Sequence, residues 1–445
     1  MALSSIERQS SLDALRGFAL LGILVVNIIA FATPYYGTGV PDPMAQSRVS
    51  HAVMAGIALL FEWKFYLLFS FLFGYSFTLQ MQSAERDGKA FVPRMLRRLI
   101  GLWVLGLLHG VLLFHGDILT TYAVMGAVLL TLRSRAEKAL AKLAVGLIVG
   151  TATVWAIIGI LSVLDVDAAR DSKALAQITS ALTAFRSTPS GVIAQHVEEL
   201  KGVWVVTALM QAPTALAMFL MGCIAGRRGL FSASSPTAGT SKLYKQCLIA
   251  GACVGLPAAV AYAYGTTRLA GTPWDLLGLS LSLLTAPLLT AAYIGGMQML
   301  FRSRWGQWWL GVLAPAGRMA LSNYLIQSLV CSVIFLAYGF RMMGRVSPLD
   351  TLLIAFAIFA VQTVISRWWL RRFAYGPVEW LLRAVTHWRF SALRVGRALS
   401  APRMDPSRES AACSSRTNCP RPASSMLQPP APLSSTTSLM RSDWG

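Results

Sequence analysis

Ten mainly apolar stretches, most of them near the length needed to cross a bilayer, recur along the 445 residues and are separated by polar segments. They fall at roughly 17–33, 65–82, 99–115, 118–132, 143–164, 203–225, 247–266, 276–300, 320–340 and 350–370. A spanning helix needs about 20 apolar residues at roughly 1.5 Å rise each. The shorter runs fit with tilt or local thinning of the bilayer. In hydrocarbon every backbone N–H and C=O must be satisfied inside the segment, so such runs fold as helices. Composition agrees: 55% of residues are hydrophobic and 13% charged, whereas a soluble domain carries about a quarter charged residues. The expected fold is an all-α integral membrane protein, a bundle of about ten transmembrane helices whose solvent is the lipid bilayer.

The net charge of +20 could suggest nucleic acid, but its distribution excludes that partner. Basic residues cluster in alternate loops. Arg94, Arg97 and Arg98 lie between the second and third runs, Arg133 and Arg135 between the fourth and fifth, and Arg227 and Arg228 after the sixth. The connection between the third and fourth runs carries none. By the positive-inside rule both termini are expected in the cytoplasm. Arg16 directly precedes the first run, which has no small-residue cleavage site and reads as a retained anchor. Four of the six cysteines lie in apolar runs and no pair is spaced C-x-x-C, so neither a zinc site nor a redox motif is indicated.

Outside the spans, Leu175, Ile178, Leu182 and Phe185 recur at helical spacing in the outer loop 165–202. Val378, Leu381, Leu382, Val385 and Trp388 do so after the last span. Both read as interfacial amphipathic helices, the first on the outer surface and the second on the inner. Residues 401–445 are rich in Ser, Pro and Arg without apolar periodicity, and disorder is expected there. The chain thus divides into an N-terminal membrane half, 1–202, a C-terminal half, 203–400, and the tail. Nothing in the sequence sets the oligomeric state.

Polar groups at membrane depth are costly and face a cavity or each other. Arg16 stands at the cytoplasmic mouth of the first span, and Asn27 lies eleven residues on, about 16 Å deeper and three turns along the same face. An Arg above a buried amide suits an elongated anionic ligand entering from the cytoplasm. A bridge from Arg16 to Asp13 and an interhelical role for Asn27 are the alternative. His109 lies within the third span, while His115 and Asp117 are expected at the outer surface. An imidazole oriented by a carboxylate can act as a general base. Two His and one Asp at this spacing match no compact metal motif. Gly317 and Arg318 open the ninth span, followed by Ser322, Asn323, Tyr324, Gln327 and Ser328. Asn323 and Gln327 share a face beneath Arg318, either as a second ligand-lining stripe or as a helix–helix hydrogen-bond zipper. Glu62 and Lys64 read as solvated charges on the outer rim, and Gly74 as a helix-packing position.

Five separated segments carry a family resemblance. They are Leu12–Ile23 (LDALRGFALLGI), Lys64–Tyr75 (KFYLLFSFLFGY), Gly116–Leu119 (GDIL), Gly317–Leu325 (GRMALSNYL) and Tyr375–Trp380 (YGPVEW). Together they resemble the YeiB-like family of bacterial inner-membrane proteins, whose C-terminal half is a domain of unknown function. The resemblance runs from about Ile6 to Arg389. More distantly, the first span is similar to the transmembrane acyltransferase superfamily, which transfers acyl groups from cytoplasmic acyl-CoA to a glycan on the far side. Sugar O-acyltransferases of that group place a catalytic His where this chain has Asn27. The heparan glucosaminide N-acetyltransferases have Asn there, but their catalytic His falls where this chain has Thr38.

The resemblance implies an acyltransferase with no permanently bound cofactor and with acyl-CoA as co-substrate. Arg16 and Arg318 would hold its phosphates. Asn27, His109 and Asp117 would be the catalytic candidates, and Asn323, Tyr324 and Gln327 would contact the glycan or other polar acceptor. The other reading of the same stripes is a transporter or exporter of a small polar or anionic molecule. It lacks support from an evident inverted repeat or broken helices.

Overall fold

A computed structural model describes residues 5–164, 170–231, 238–388 and 393. The 401–445 tail expected to be disordered lies outside the described residues. Sixteen α-helices and no strand occur among the described residues. The first group is α1 (Ser5–Ala32), α2 (Arg48–Leu60), α3 (Phe65–Arg86), α4 (Phe91–Leu112), α5 (Leu119–Leu132) and α6 (Glu137–Leu164). Then come α7 (Arg170–Ser187), α8 (Pro189–Val206), α9 (Ala212–Arg227), α10 (Ala238–Ala250) and α11 (Leu256–Arg268). The last are α12 (Pro273–Leu300), α13 (Arg304–Arg318), α14 (Ala320–Phe335), α15 (Pro348–Leu370) and α16 (Pro377–His387). Short π-helical stretches, Thr207–Gln211 and Gly251–Gly255, join α8 to α9 and α10 to α11. Each lies just ahead of a proline, Pro213 or Pro257, whose missing N–H interrupts the regular ladder.

Eight helical segments among the described residues are long and apolar enough to cross a membrane. The pair α13 and α14 adds a ninth if its two arms are one span, bent by 79°. Each expected span has a helix, but α5 has only 14 residues, about 21 Å of helix against a core of roughly 30 Å. The protein is therefore a multi-pass all-α membrane protein. Its outward faces carry residues such as Ile100, Leu108 and Val364, all more than half exposed. α1 runs through the interior, packed against α3, α13, α14 and α15.

The expected amphipathic helix of the long loop is present as α7, yet it does not lie free on a surface. Ile178 and Phe185 are buried, and Ala337 N–H donates to Phe185 O at 2.8 Å. Covering the α14–α15 connection is where its apolar side finds protein to pack against. α2 was not anticipated, because its 13 residues are too few for a span and follow no loop signal.

The reading of Glu62 and Lys64 as solvated rim charges is overturned. Trp63, between α2 and α3, takes a left-handed conformation, φ 65°, and both of its neighbours are buried. Lys64 is 0% exposed, and its Nζ donates to Ala58 O at 2.7 Å, near the carbonyl end of α2. Glu62 accepts from the hydroxyls of Tyr36, at 2.8 Å, and Tyr262, at 2.6 Å.

Between apolar helices in lipid there is little hydrophobic drive, so close backbone contact supplies much of the cohesion. Gly74 of α3 faces the carbonyl of Phe219 on α9, and Gly222 of α9 faces the carbonyl of Phe71 on α3. Gly17 and Gly317 pair α1 with α13 in the same way, through Leu313 O and Asp13 O. A methyl group at any of these four positions would land on a backbone carbonyl. Gly222→Ala is therefore expected to destabilise by about 1–3 kcal/mol, despite alanine's helix-propensity advantage of about 1 kcal/mol. Gly146 of α6 has open space around it, and Gly146→Ala should be neutral or stabilising. Thermal unfolding of both variants in detergent checks the contrast; equal melting shifts would refute the packing role.

Candidate functional site

The α4–α5 hairpin brings together two residues that lie eight positions apart. His109 sits on the last turn of α4, and Asp117 precedes α5. One oxygen of Asp117 accepts from the backbone N–H of Thr120 at 2.8 Å and from its hydroxyl at 2.9 Å. This caps the first turn of α5, where N–H groups lack intrahelical partners. The other oxygen bonds His109 Nδ1 at 2.9 Å. Asp117 is 5% exposed, not at the open outer surface where the sequence placed it. The connection is so short that the cap folds the carboxylate back against α4. Gly106, one turn before His109, makes room for it: a Cβ there would lie 2.7 Å from Asp117 Oδ2 and 2.6 Å from Thr120 N.

The carboxylate only accepts hydrogen bonds, so it holds the proton on Nδ1 and leaves the Nε2 lone pair free to accept. What reaches Nε2 is the hydroxyl of Ser328 on α14, at 2.8 Å. Ser328, His109 and Asp117 are all at least 95% buried. The ring of Tyr324 stands 4.9 Å from the imidazole and that of Phe114 at 6.3 Å, walling it from lipid. Sequence reading selected His109 and Asp117 but not Ser328. A serine within an apolar helix carries no local mark of its partner.

Ser328 opens onto a cavity lined by Leu24, Asn27 and Phe31 of α1 and by Tyr324, Gln327, Ser328 and Cys331 of α14. Each set is spaced to share one helix face. The cavity measures about 10 Å³, room for roughly one water molecule. The Asn27 amide makes no hydrogen bond among the described residues. The Tyr324 hydroxyl, close to the Ile118 backbone, is buried without a partner of normal geometry. Among the described residues, two residues whose side-chain polar groups lack a hydrogen bond of normal geometry thus line the space beside Ser328.

Gln327 and Asn323 are tied to α15. Gln327 donates to Gln362 at 2.9 Å, Asn323 to Ser366 at 2.9 Å, and Gln362 back to Asn323 O at 3.0 Å. This is the interhelical zipper named as one reading of that stripe, with Gln327 also on the cavity wall. At the other end of α1, Arg16 bonds Asp13 at 2.5 Å and Ser76 at 2.7 Å. Arg318 also acts electrostatically on Asp13, so the two arginines do converge. Arg98 of α4, read earlier only as a loop charge, joins them through its interactions with Arg16 and Glu379.

These features define a class: a multi-pass helical membrane protein with a Ser–His–Asp constellation buried between its two halves. A family profile described as "Protein of unknown function (DUF418)" matches residues 225–389. That range contains Ser328 but not His109, Asp117 or Asn27. YxaH of Bacillus subtilis (strain 168), an uncharacterized protein, is 33% identical over 399 residues, 86% of this chain and 94% of the relative. YeiB of Escherichia coli (strain K12), also uncharacterized, is 27% identical over 404 residues, 85% of this chain and 96% of the relative. No solved structure matches. The chain belongs to the YeiB-like family.

Removing Asp117 leaves the buried His109 Nδ1–H without an acceptor and deprives the half-buried Thr120 of the acceptor for its N–H and hydroxyl. Asp117→Ala should cost about 1–3 kcal/mol or more. Ser328→Ala leaves one buried acceptor, His109 Nε2, unpaired and should cost less than Asp117→Ala, about 1–3 kcal/mol at most. Denaturant or thermal unfolding of the two variants in detergent tests this ordering, and the reverse order would exclude Asp117 as the anchor of the site.

Proposed function

We propose that the protein is an acyltransferase of the bacterial inner membrane. It takes an acyl group from cytoplasmic acyl-CoA and delivers it to a polar acceptor, a glycan hydroxyl or amine, on the far side. The observation that carries this reading is His109, held between Asp117 at 2.9 Å and Ser328 at 2.8 Å beside a cavity bordered by Asn27. A neutral, oriented imidazole removes a proton from an attacking hydroxyl. Asn27 and Tyr324 supply donors for the charge that develops on a thioester carbonyl. The arginines at the Asp13 end, Arg16, Arg98 and Arg318, suit the phosphates of a coenzyme A ester. The similarity of the first span to transmembrane acyltransferases agrees.

One observation favours export of a small polar or anionic molecule instead. α13 and α14 form a broken helix, a device carriers use at their binding sites. The water-sized cavity weighs against a conduit.

The two readings separate in purified protein reconstituted in liposomes with radiolabelled acetyl-CoA and a glycan acceptor. Covalent label on the acceptor is expected. His109→Ala should lower the rate roughly 100- to 10,000-fold while inserting normally. Unchanged turnover in that variant, or passage of unmodified solute without covalent label, would sink the acyltransferase reading.

A further inference from the structure

We propose that Ser328 is a nucleophile and carries the acyl group covalently between donor and acceptor. The inference rests on the acyl-transfer reading for the donor's identity, but its geometry stands apart from it. Both ring nitrogens of His109 are taken, Nδ1 by Asp117 and Nε2 by Ser328. The resting imidazole therefore has no lone pair for an acceptor hydroxyl. The group it is placed to deprotonate is Ser328.

The local habit of helix serines makes that bond informative. A serine in an apolar helix ordinarily turns back to the carbonyl four residues earlier. Ser70 does so to Tyr66 O at 2.7 Å, Ser76 to Leu72 O at 2.6 Å, and Ser332, on the same helix as Ser328, to Ser328 O at 2.8 Å. Ser328 directs its hydroxyl across to His109 instead. Ser328 also lines the cavity shared with Asn27 and Tyr324, whose polar groups make no hydrogen bond of normal geometry among the described residues. Nucleophile, base, orienting carboxylate and unused donors are the parts needed for attack on a carbonyl. Asp117 acts here as a positioning residue.

In the first half-reaction Ser328 Oγ attacks the thioester carbonyl and its proton passes to His109 Nε2. The Oγ–C bond forms, the C–S bond breaks, and the thiolate leaves with the proton from His109. Ser328 is now an ester and no longer donates, so Nε2 is open to the acceptor. In the second half, the acceptor hydroxyl or amine gives its proton to Nε2 and attacks the ester. The Oγ–C bond breaks, and Ser328 recovers its proton from His109. The cavity holds roughly one water molecule, so the smallest transferable acyl group, acetyl, is the probe of choice.

Two measurements on the full-length protein in detergent test this. With acetyl-CoA and no acceptor, a burst of about one free thiol per protein is expected, with acetyl mass on the tryptic peptide 319–341. With a small fluorophosphonate, which needs no acyl donor, wild type should be modified at Ser328 and His109→Ala at least about 100-fold more slowly. Ser328→Ala should lose both signals. Ser328→Cys keeps a nucleophile, and its adduct should be a thioester cleaved by neutral hydroxylamine, unlike the serine ester. Phosphonylated Ser328 without any acetyl burst would support the nucleophile and discard acyl-CoA as donor. Acceptor labelling at the wild-type rate by Ser328→Ala would overturn the proposal and leave the acyltransferase reading intact. Failure of both the burst and the phosphonylation in wild type would also overturn it.

Discussion

A helix bundle surrounded by lipid cannot count on water to press its members together, so each close contact must have a cause of its own. In this protein the cause is absence of side chain. Gly74 and Gly222 let α3 and α9 meet backbone against backbone, and Gly17 and Gly317 do the same for α1 and α13. These crossings place α1 deep enough for Asn27 to reach the cavity. They also set α13 so that the chain breaks after Arg318 and α14 runs off at 79°. The position of Ser328 follows from that angle.

Polar chemistry is confined to places where such packing has already excluded lipid. Asp117 would be an expensive charge if it were not shared among a helix start, a threonine hydroxyl and an imidazole. Glu62 is treated the same way by two tyrosine hydroxyls, and Lys64 by the end of a helix. Of these buried groups, the His109 relay ends beside a cavity lined by Asn27 and Tyr324, whose polar groups make no hydrogen bond of normal geometry among the described residues. It also joins the two halves of the chain, since base and serine are 219 residues apart in sequence. Residues 225–389, the part matched by the family profile, hold the serine without the base.

Much of this was legible without coordinates. Every expected span has a helix, because a run of apolar side chains in lipid has few other ways to satisfy its backbone. Arg16, Asn27, His109 and Asp117 stood out because polar residues in apolar runs are rare. Ser328 did not, being one hydroxyl among Ser322, Ser328 and Ser332 on one helix, told apart only by what a distant helix presents to it. Burial of Glu62 and Lys64 was not legible because the groups that satisfy them, the Tyr36 and Tyr262 hydroxyls and the Ala58 carbonyl, are brought to them only by the packing of the helices. Asn323 and Gln327 were seen to be paired on a face, but whether that face meets a ligand or another helix is decided by where α15 packs.

The break between α13 and α14 has a further consequence through Glu379. That residue lies on the surface helix α16, yet it accepts from the N–H groups of Leu321 at 2.7 Å and Ser322 at 3.0 Å, and from the Ser322 hydroxyl. Ser322 in turn accepts from Val378 N–H at 3.0 Å. A broken helix normally frays at the break, since its first amides have no acceptor. Here they are clamped from outside the bundle. The amides of Leu321 and Ser322 should therefore exchange their hydrogens slowly and in step with those of α16, one cooperative unit made of a membrane helix and a helix lying across its end.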